Sequence, residues 1–157
     1  VHEYIDNILL SLRPKLKKTE HRIDIICPED FTLDSYPGVF SQIISNLIIN
    51  SLIYGFEKIE AGVIQISASQ DQGTVSLIYR DNGVGMEKAI LERIFEPFFT
   101  TRRGQGGSGL GLHIVYNLVT QRLGGTIECN SSPGQGVEFV LLFPAATLPG
   151  SNGMDKY

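Results

Sequence analysis

Apolar residues recur along the first eighteen positions at Ile5, Ile8, Leu9, Leu12 and Leu16, the spacing of a single helical face. Pro14 falls inside that stripe, where its missing N–H and its ring predict a kink or an interruption. The segment RIDIIC (22–27) alternates with the two-residue period of a strand and stops at Cys27-Pro28, and FTLD (31–34) reads as a short second strand. Pro37 opens a second helix at a position where a missing N–H is harmless. That helix runs through FSQIISNLIINSLIY and ends at Gly55, read as its C-cap. GVIQISASQ (62–70) and TVSLIYR (74–80), separated by Asp71-Gln72-Gly73, pattern as a β-hairpin. From 81 to 111 the chain is glycine-rich, with one short helix around 87–94. A longer helix starts near Gly109 and stops before Gly124-Gly125, and GTIECNS and GVEFVLLF close the chain as strands. The polar tail TLPGSNGMDKY reads as a mobile end.

Strands mixed with three or four helices, some of the strands as hairpin neighbours, predict an α/β sandwich rather than a regularly alternating parallel sheet. The 157 residues suffice for one domain, and 42% hydrophobic with 19% charged residues suits a globular protein. A net charge of -4 argues against nucleic acid as a general partner, since phosphate backbones need clustered Lys and Arg. No apolar run approaches the roughly 20 residues of a membrane span, and no basic-then-apolar signal segment opens the chain. Cys27 and Cys129 lie in apolar strand-like stretches and read as reduced core thiols; two cysteines make no metal site.

Three clusters carry candidate chemistry. Asn46 and Asn50 share one face of the otherwise apolar second helix, either as a structural polar pair or as a ligand site. Asp81-Asn82-Gly83-Val84-Gly85 follows a strand directly; glycine there serves a tight turn or lets a ligand approach, and the spacing is not that of a dinucleotide fingerprint. Gly104-Gln105-Gly106-Gly107-Ser108-Gly109-Leu110-Gly111 leads into a helix, where free N–H groups and the helix dipole favour an anion. It is not a Walker loop, because no Gly-Lys-Ser/Thr follows. Each glycine cluster alone is also compatible with an ordinary turn or surface loop.

Taken together, in this order and spacing, the three clusters closely resemble the N box and the two glycine boxes of the histidine-kinase ATPase family. The resemblance extends to an F box, Phe95-Glu96-Pro97-Phe98-Phe99-Thr100-Thr101-Arg102, and to a last glycine turn, Gly134-Gln135-Gly136-Val137-Glu138-Phe139. It implies the Bergerat ATP-binding fold: a two-layer α/β sandwich with a mixed, mostly antiparallel sheet and three main helices. It also implies a catalytic ATP-binding domain over 19–146, a connecting helix over 1–18 from an absent dimerisation and phosphotransfer domain, and a mobile tail over 147–157.

By the same resemblance, Asn50 coordinates Mg²⁺ through its amide oxygen and Asn46 supports the metal or its water; oxygen ligands are what Mg²⁺ requires. Asp81 accepts a hydrogen bond from the adenine amino group, which an ionised carboxylate is equipped to do, and guanine's carbonyl there would be rejected. Gly83 and Gly85 let the backbone close on the base. Gly107, Gly109, Leu110 and Gly111 cradle the phosphates, and Tyr54 contacts the nucleotide. Phe95, Phe98 and Phe99 anchor a lid spanning roughly 98–109, from which Thr101 and Arg102, or Arg103, face the nucleotide. One departure stands out. Many relatives carry a basic residue where this chain has Ile53.

The ATP hydrolases of this superfamily carry Glu at the position of Asn46, where it activates water; an amide is no base near neutral pH. That favours transfer of the ATP γ-phosphoryl group to a nucleophile of its own, the histidine of a separate phosphoacceptor domain, with positioning and Mg²⁺ supplying the catalysis. His2-Glu3 lies too near the N box to be that acceptor and reads as an exposed helix start, while His113 reads as a helix-face residue. The implied partners are the protein's own dimerisation and phosphoacceptor domain and a response regulator. The isolated domain is expected to be a monomer, the parent a homodimer anchored in the membrane with this domain on the cytoplasmic side. An anti-sigma-type serine kinase and a non-catalytic nucleotide-binding module are the alternatives within the superfamily.

Overall fold

The computed structural model describes residues 2–28, 37–101 and 109–145. Within them lie helix α1 (His2–Leu16), strand β1 (Arg22–Ile26), helix α2 (Pro37–Asn50), strands β2 (Val63–Asp71) and β3 (Thr74–Asp81), helices α3 (Lys88–Leu91) and α4 (Gly111–Asn117), and strands β4 (Thr126–Ser131) and β5 (Val137–Pro144). The strand expected over 31–34 and the tail over 147–157 lie outside the described residues. Helix α1 continues through Pro14, which sits close enough to its C-terminal end that only the last turn loses a bond. α3 is shorter than expected: beyond Leu91 the chain tightens into i→i+3 bonds, Arg93 N–H to Ile90 and Glu96 N–H to Arg93.

The five strands form one sheet in the order β1-β2-β3-β5-β4. β1 runs parallel to β2, and every other pair is antiparallel. Register places one buried row across the sheet: Ile64, Ile66 and Ala68 face Asp81, Tyr79 and Leu77, which in turn face Val137, Phe139 and Leu141. Against this row pack the apolar faces of α1 (Ile5, Ile8, Leu12), α2 (Ile43, Ile44, Leu47, Ile48) and α4 (Leu112, Val115). Each fully buried Ile or Leu contributes about 1.5–3 kcal/mol. The result is the two-layer sandwich with a mixed, mostly antiparallel sheet.

Cys27 follows β1 at one edge of the sheet and Cys129 lies on β4 at the other, and both are free thiols. Gly38–Gly55 is a continuous helical stretch of 18 residues with mean hydropathy 1.2, so by length and composition it matches a membrane span. The expectation that no segment approaches that length is corrected to this extent. The packing shows why it is apolar: Ile43, Ile44, Leu47 and Ile48 are fully buried in the core.

Candidate functional site

The end of α2 does not close as an ordinary C-cap. Ser51–Gly55 winds as a π-helical turn, with Phe56 N–H bonded to the Ser51 carbonyl, a rare geometry that recurs at functional sites. Gly55 is needed for its missing side chain rather than for a left-handed backbone. A Cβ there would lie 2.8 Å from Asp81 Oδ2, and the Gly55 carbonyl accepts the Val84 N–H at 2.9 Å. Gly83 lies against the Gly55 backbone and leaves no room for a Cβ.

Asp81 ends the buried row of β3 and is only 6% exposed. Its Oδ1 accepts the N–H groups of Gly83 (3.0 Å) and Val137 (3.2 Å), and its Oδ2 accepts the Ser51 hydroxyl at 2.6 Å. Among the described residues, three donors and no cation hold the carboxylate. The last glycine turn backs this arrangement: Gly136, at φ +67°, lies against the Asp81 carbonyl, and Gly85, at φ +70°, lies against Ser132. Burial pushes the Tyr79 phenol well above its ordinary pKa, with the Asp81 charge adding to the shift. Burial likewise pushes the Cys129 thiol up to about 12, helped by Asp81 and Glu138.

Beside this buried cluster lies a cavity of about 350 Å³. Asn46, Asn50 and Tyr54, four residues apart, bring three polar side chains to its wall, next to the apolar Ile49 and Ile53. Opposite them stand Gly85, Met86, Ile90 and Ile94, and then Phe99, Thr100 and Thr101 of the F box, with Gly109 and Gly111. The Tyr54 hydroxyl is hydrogen-bonded to the Thr100 hydroxyl, which joins the N-box helix to the F box. The Asn46 Nδ2 is buried without a hydrogen-bond partner. The described residues give that buried donor no partner, and leaving such a group unpaired costs about 1–3 kcal/mol.

The expected site residues divide accordingly. Asn46, Asn50, Tyr54, Gly85, Thr101, Gly109 and Gly111 line the cavity. Asp81, Gly83 and Leu110 do not line it: Asp81 borders a separate recess with Ser131, Ser132 and Val137, Gly83 packs on the Gly55 backbone, and Leu110 precedes α4, accepting the Ile114 N–H. Phe98 points elsewhere: it is 59% exposed, with φ +65°, while its neighbour Phe99 lines the cavity. Arg102, Arg103 and Gly107 lie outside the described residues. The Phe98 N–H bonds the Gly109 carbonyl at 2.8 Å, and Gly109, at φ +75°, lies against the Phe98 backbone. Among the described residues nothing lies within 4 Å of a Cβ placed on Gly111. His113 tethers the F box, its Nδ1 3.1 Å from the Phe95 carbonyl and its Nε2 3.2 Å from Asn117 Nδ2.

Ser51 and Tyr79 stand outside every motif in the chain, and Gly55 serves through its missing side chain rather than as the C-cap expected of it. Tyr79 was within reach, two residues before Asp81 and so on the same face of β3. The contact made by Gly55 depends on the π turn, which no local pattern announced.

Comparison with known proteins agrees with this geometry. The model of the family described as "Histidine kinase-, DNA gyrase B-, and HSP90-like ATPase" matches residues 37–147. The sensor histidine kinase AtsR of Burkholderia thailandensis is 35% identical over 153 residues, covering 95% of this chain and 25% of that protein. The autoinducer 1 sensor kinase/phosphatase LuxN of Vibrio campbellii is 34% identical over 144 residues, covering 92% of this chain and 17% of that protein. The chain thus spans a quarter or less of these two relatives. Among solved structures, the catalytic domain of histidine kinase ThkA superposes with a TM-score of 0.79 at 25% identity, covering 92% of both chains. Full-length ShkA in complex with AMPPNP gives a TM-score of 0.76 at 28% identity, over 94% of this chain and 31% of that one.

Proposed function

We propose that this chain, which belongs to the histidine kinase-, DNA gyrase B- and HSP90-like ATPase family, is the catalytic domain of a sensor histidine kinase, loading MgATP and donating its γ-phosphoryl group to a histidine on a separate phosphoacceptor domain. The observation that carries the reading is the convergence of Asn46, Asn50, Tyr54, Gly85, Gly109 and Gly111 on one cavity, with an Asn46 amide left unpaired in its wall. A nucleotide-binding domain of this family has use for such an amide; a core packed only for stability does not.

In this reading Asp81 accepts the adenine amine on the lone pair its three internal donors leave open. Tyr54 and the apolar wall of Ile49, Met86, Ile90 and Ile94 bury the flat base. Gly109 and Gly111 offer backbone N–H groups to the phosphates. The amide oxygen of Asn50 fits a hard cation that prefers oxygen, with Asn46 supporting the metal or its water, and Mg²⁺ would supply charge neutralisation on the phosphates when bound. Among the described residues, no Lys or Arg lines the cavity, and Ile53 and Glu57 stand along the α2 side. The phosphate charge is therefore left to the metal, the backbone donors and the lid residues Thr101 and Arg102, with Leu110 and Gly107 completing the loop.

Asn46 has no basic atom with which to activate water, which disfavours hydrolysis. A neutral imidazole brings its own lone pair: its nitrogen forms the new bond to the γ-phosphorus as the bridging P–O bond breaks and ADP leaves. The domain's share of the catalysis is positioning. The same proposal places the domain in the cytoplasm, where ATP and reduced thiols coexist. There a longer, homodimeric, membrane-anchored protein supplies the phosphoacceptor helix upstream of α1, and a response regulator takes the phosphoryl group onward.

Calorimetric titration with MgATP is expected to show one site, and adding a phosphoacceptor domain of a close relative is expected to yield acid-labile, base-stable phosphohistidine. Phosphoserine in its place, or GTP binding equal to ATP binding, would overturn the proposal.

A further inference from the structure

The buried cluster behind the cavity contains two hydroxyl groups to which the proposed chemistry gives no part. Tyr79 is fully buried and Ser51 is 1% exposed. The Ser51 and Tyr79 oxygens are 2.6 Å apart, the Ser51 oxygen is 2.6 Å from Asp81 Oδ2, and the Tyr79 oxygen is 3.0 Å from the Leu47 carbonyl. Two protons serve these three contacts, and their placement is constrained. An ionised carboxylate only accepts, so the Ser51 proton goes to Asp81; otherwise two sets of lone pairs would oppose each other at 2.6 Å. The Ser51 oxygen must then be the acceptor from Tyr79, whose proton also leans toward Leu47.

A serine in a helix ordinarily donates back to the carbonyl four residues earlier, which here is Leu47. The Tyr79 hydroxyl lies 3.0 Å from that carbonyl, and the Ser51 hydroxyl goes instead to Asp81 Oδ2 at 2.6 Å. Burial keeps the Tyr79 phenol protonated, so the chain Tyr79→Ser51→Asp81 has one direction. Asp81 Oδ1 is already filled by two backbone N–H groups. With Ser51 on Oδ2, a single acceptor position remains.

We infer that Ser51 and Tyr79 are positioning residues for base selectivity: their hydroxyl chain orients the Asp81 carboxylate and leaves it one acceptor, fit for the exocyclic amine of adenine and closed to a 6-oxo purine. The inference rests on the nucleotide reading of this site. It assigns a specificity role to a helix residue, Ser51, and to a strand residue, Tyr79, neither of which lines the cavity.

The test compares ATP with ITP, which differ at the purine 6-position, using calorimetric titration of this chain in Mg²⁺ buffer. Ser51→Ala and Tyr79→Phe are each expected to lower the ATP:ITP affinity ratio, Ser51→Ala by about tenfold, the usual scale for losing a hydrogen bond to a charged group. Ser51→Thr, which keeps the hydroxyl, is expected to restore the ratio. A purely structural role would weaken ATP and ITP alike, and circular dichroism melts verify that each variant is folded. If Ser51→Ala leaves the ratio within twofold of the parent while Asp81→Asn collapses it, the inference falls and the adenine assignment stands. If Asp81→Asn also leaves the ratio unchanged, both fall.

Discussion

Gly55→Ala tests whether the buried cluster is packed as described. Ordinarily, replacing glycine in a helical turn by alanine stabilises a protein by about 0.5–1 kcal/mol, and the Gly55 backbone is not in the left-handed region that would forbid it. Here the new Cβ would lie 2.8 Å from Asp81 Oδ2, too close for carbon and oxygen. The carboxylate cannot simply swing aside, because Ser51, Gly83 and Val137 hold both its oxygens. Displacing it gives up at least one hydrogen bond to a charged group, about 1.5–3 kcal/mol. The net expectation is a loss of about 1–2 kcal/mol, or about 2–8 °C in Tm for a domain of this size, together with weaker ATP binding. Gly38→Ala, near the start of the same helix with nothing among the described residues within 4 Å of the new Cβ, is the control and is expected to be neutral or mildly stabilising. Melting curves and calorimetric titrations read both quantities. A Gly55→Ala variant that melts at or above the parent and binds ATP within twofold of it would refute the packing argument.

Two further outcomes concern side chains away from the cavity. With its pKa pushed up to about 12, Cys129 is thiolate to only on the order of 10⁻⁴ at pH 8; iodoacetamide followed by mass spectrometry is expected to label Cys27 first, and equal labelling would contradict the burial. His21 Nδ1 accepts the Gly62 N–H at 2.8 Å, beside the Phe56 ring, and burial lowers its pKa below 6.5. The folded state therefore binds fewer protons than the unfolded state just below pH 6.5. Its contribution to stability is complete above that pH and is lost as the pH falls through the folded-state pKa. His21→Asn is expected to flatten the decline in Tm between pH 7 and pH 5, and an unchanged slope would count against it.

The chain's own pattern determined a good deal about this protein. Period-two alternation marked β1, the Asp71-Gln72-Gly73 turn marked the β2–β3 hairpin, and the Asn46–Asn50 spacing alone put two amides on one helical face. The Asn pair and the two glycine clusters, in their order and spacing, carried the family resemblance, and glycine is required wherever backbone must approach backbone or take positive φ, as at Gly85, Gly109 and Gly136. These are short-range demands, and short-range demands leave their mark in neighbouring residues. What the fold alone decided involves residues far apart in sequence. The register of β3 against β5 brings the Val137 N–H to Asp81. The π turn carries Ser51 and Gly55 to the same carboxylate. Whether Phe98 or Phe99 turns into the cavity depends on the positive φ imposed at Phe98 where it crosses Gly109. Asp81, legible from the start as a candidate base-binding carboxylate, is the end of a hydroxyl chain from Tyr79 through Ser51 only because a helix end and a sheet row meet there. No periodicity records such a meeting.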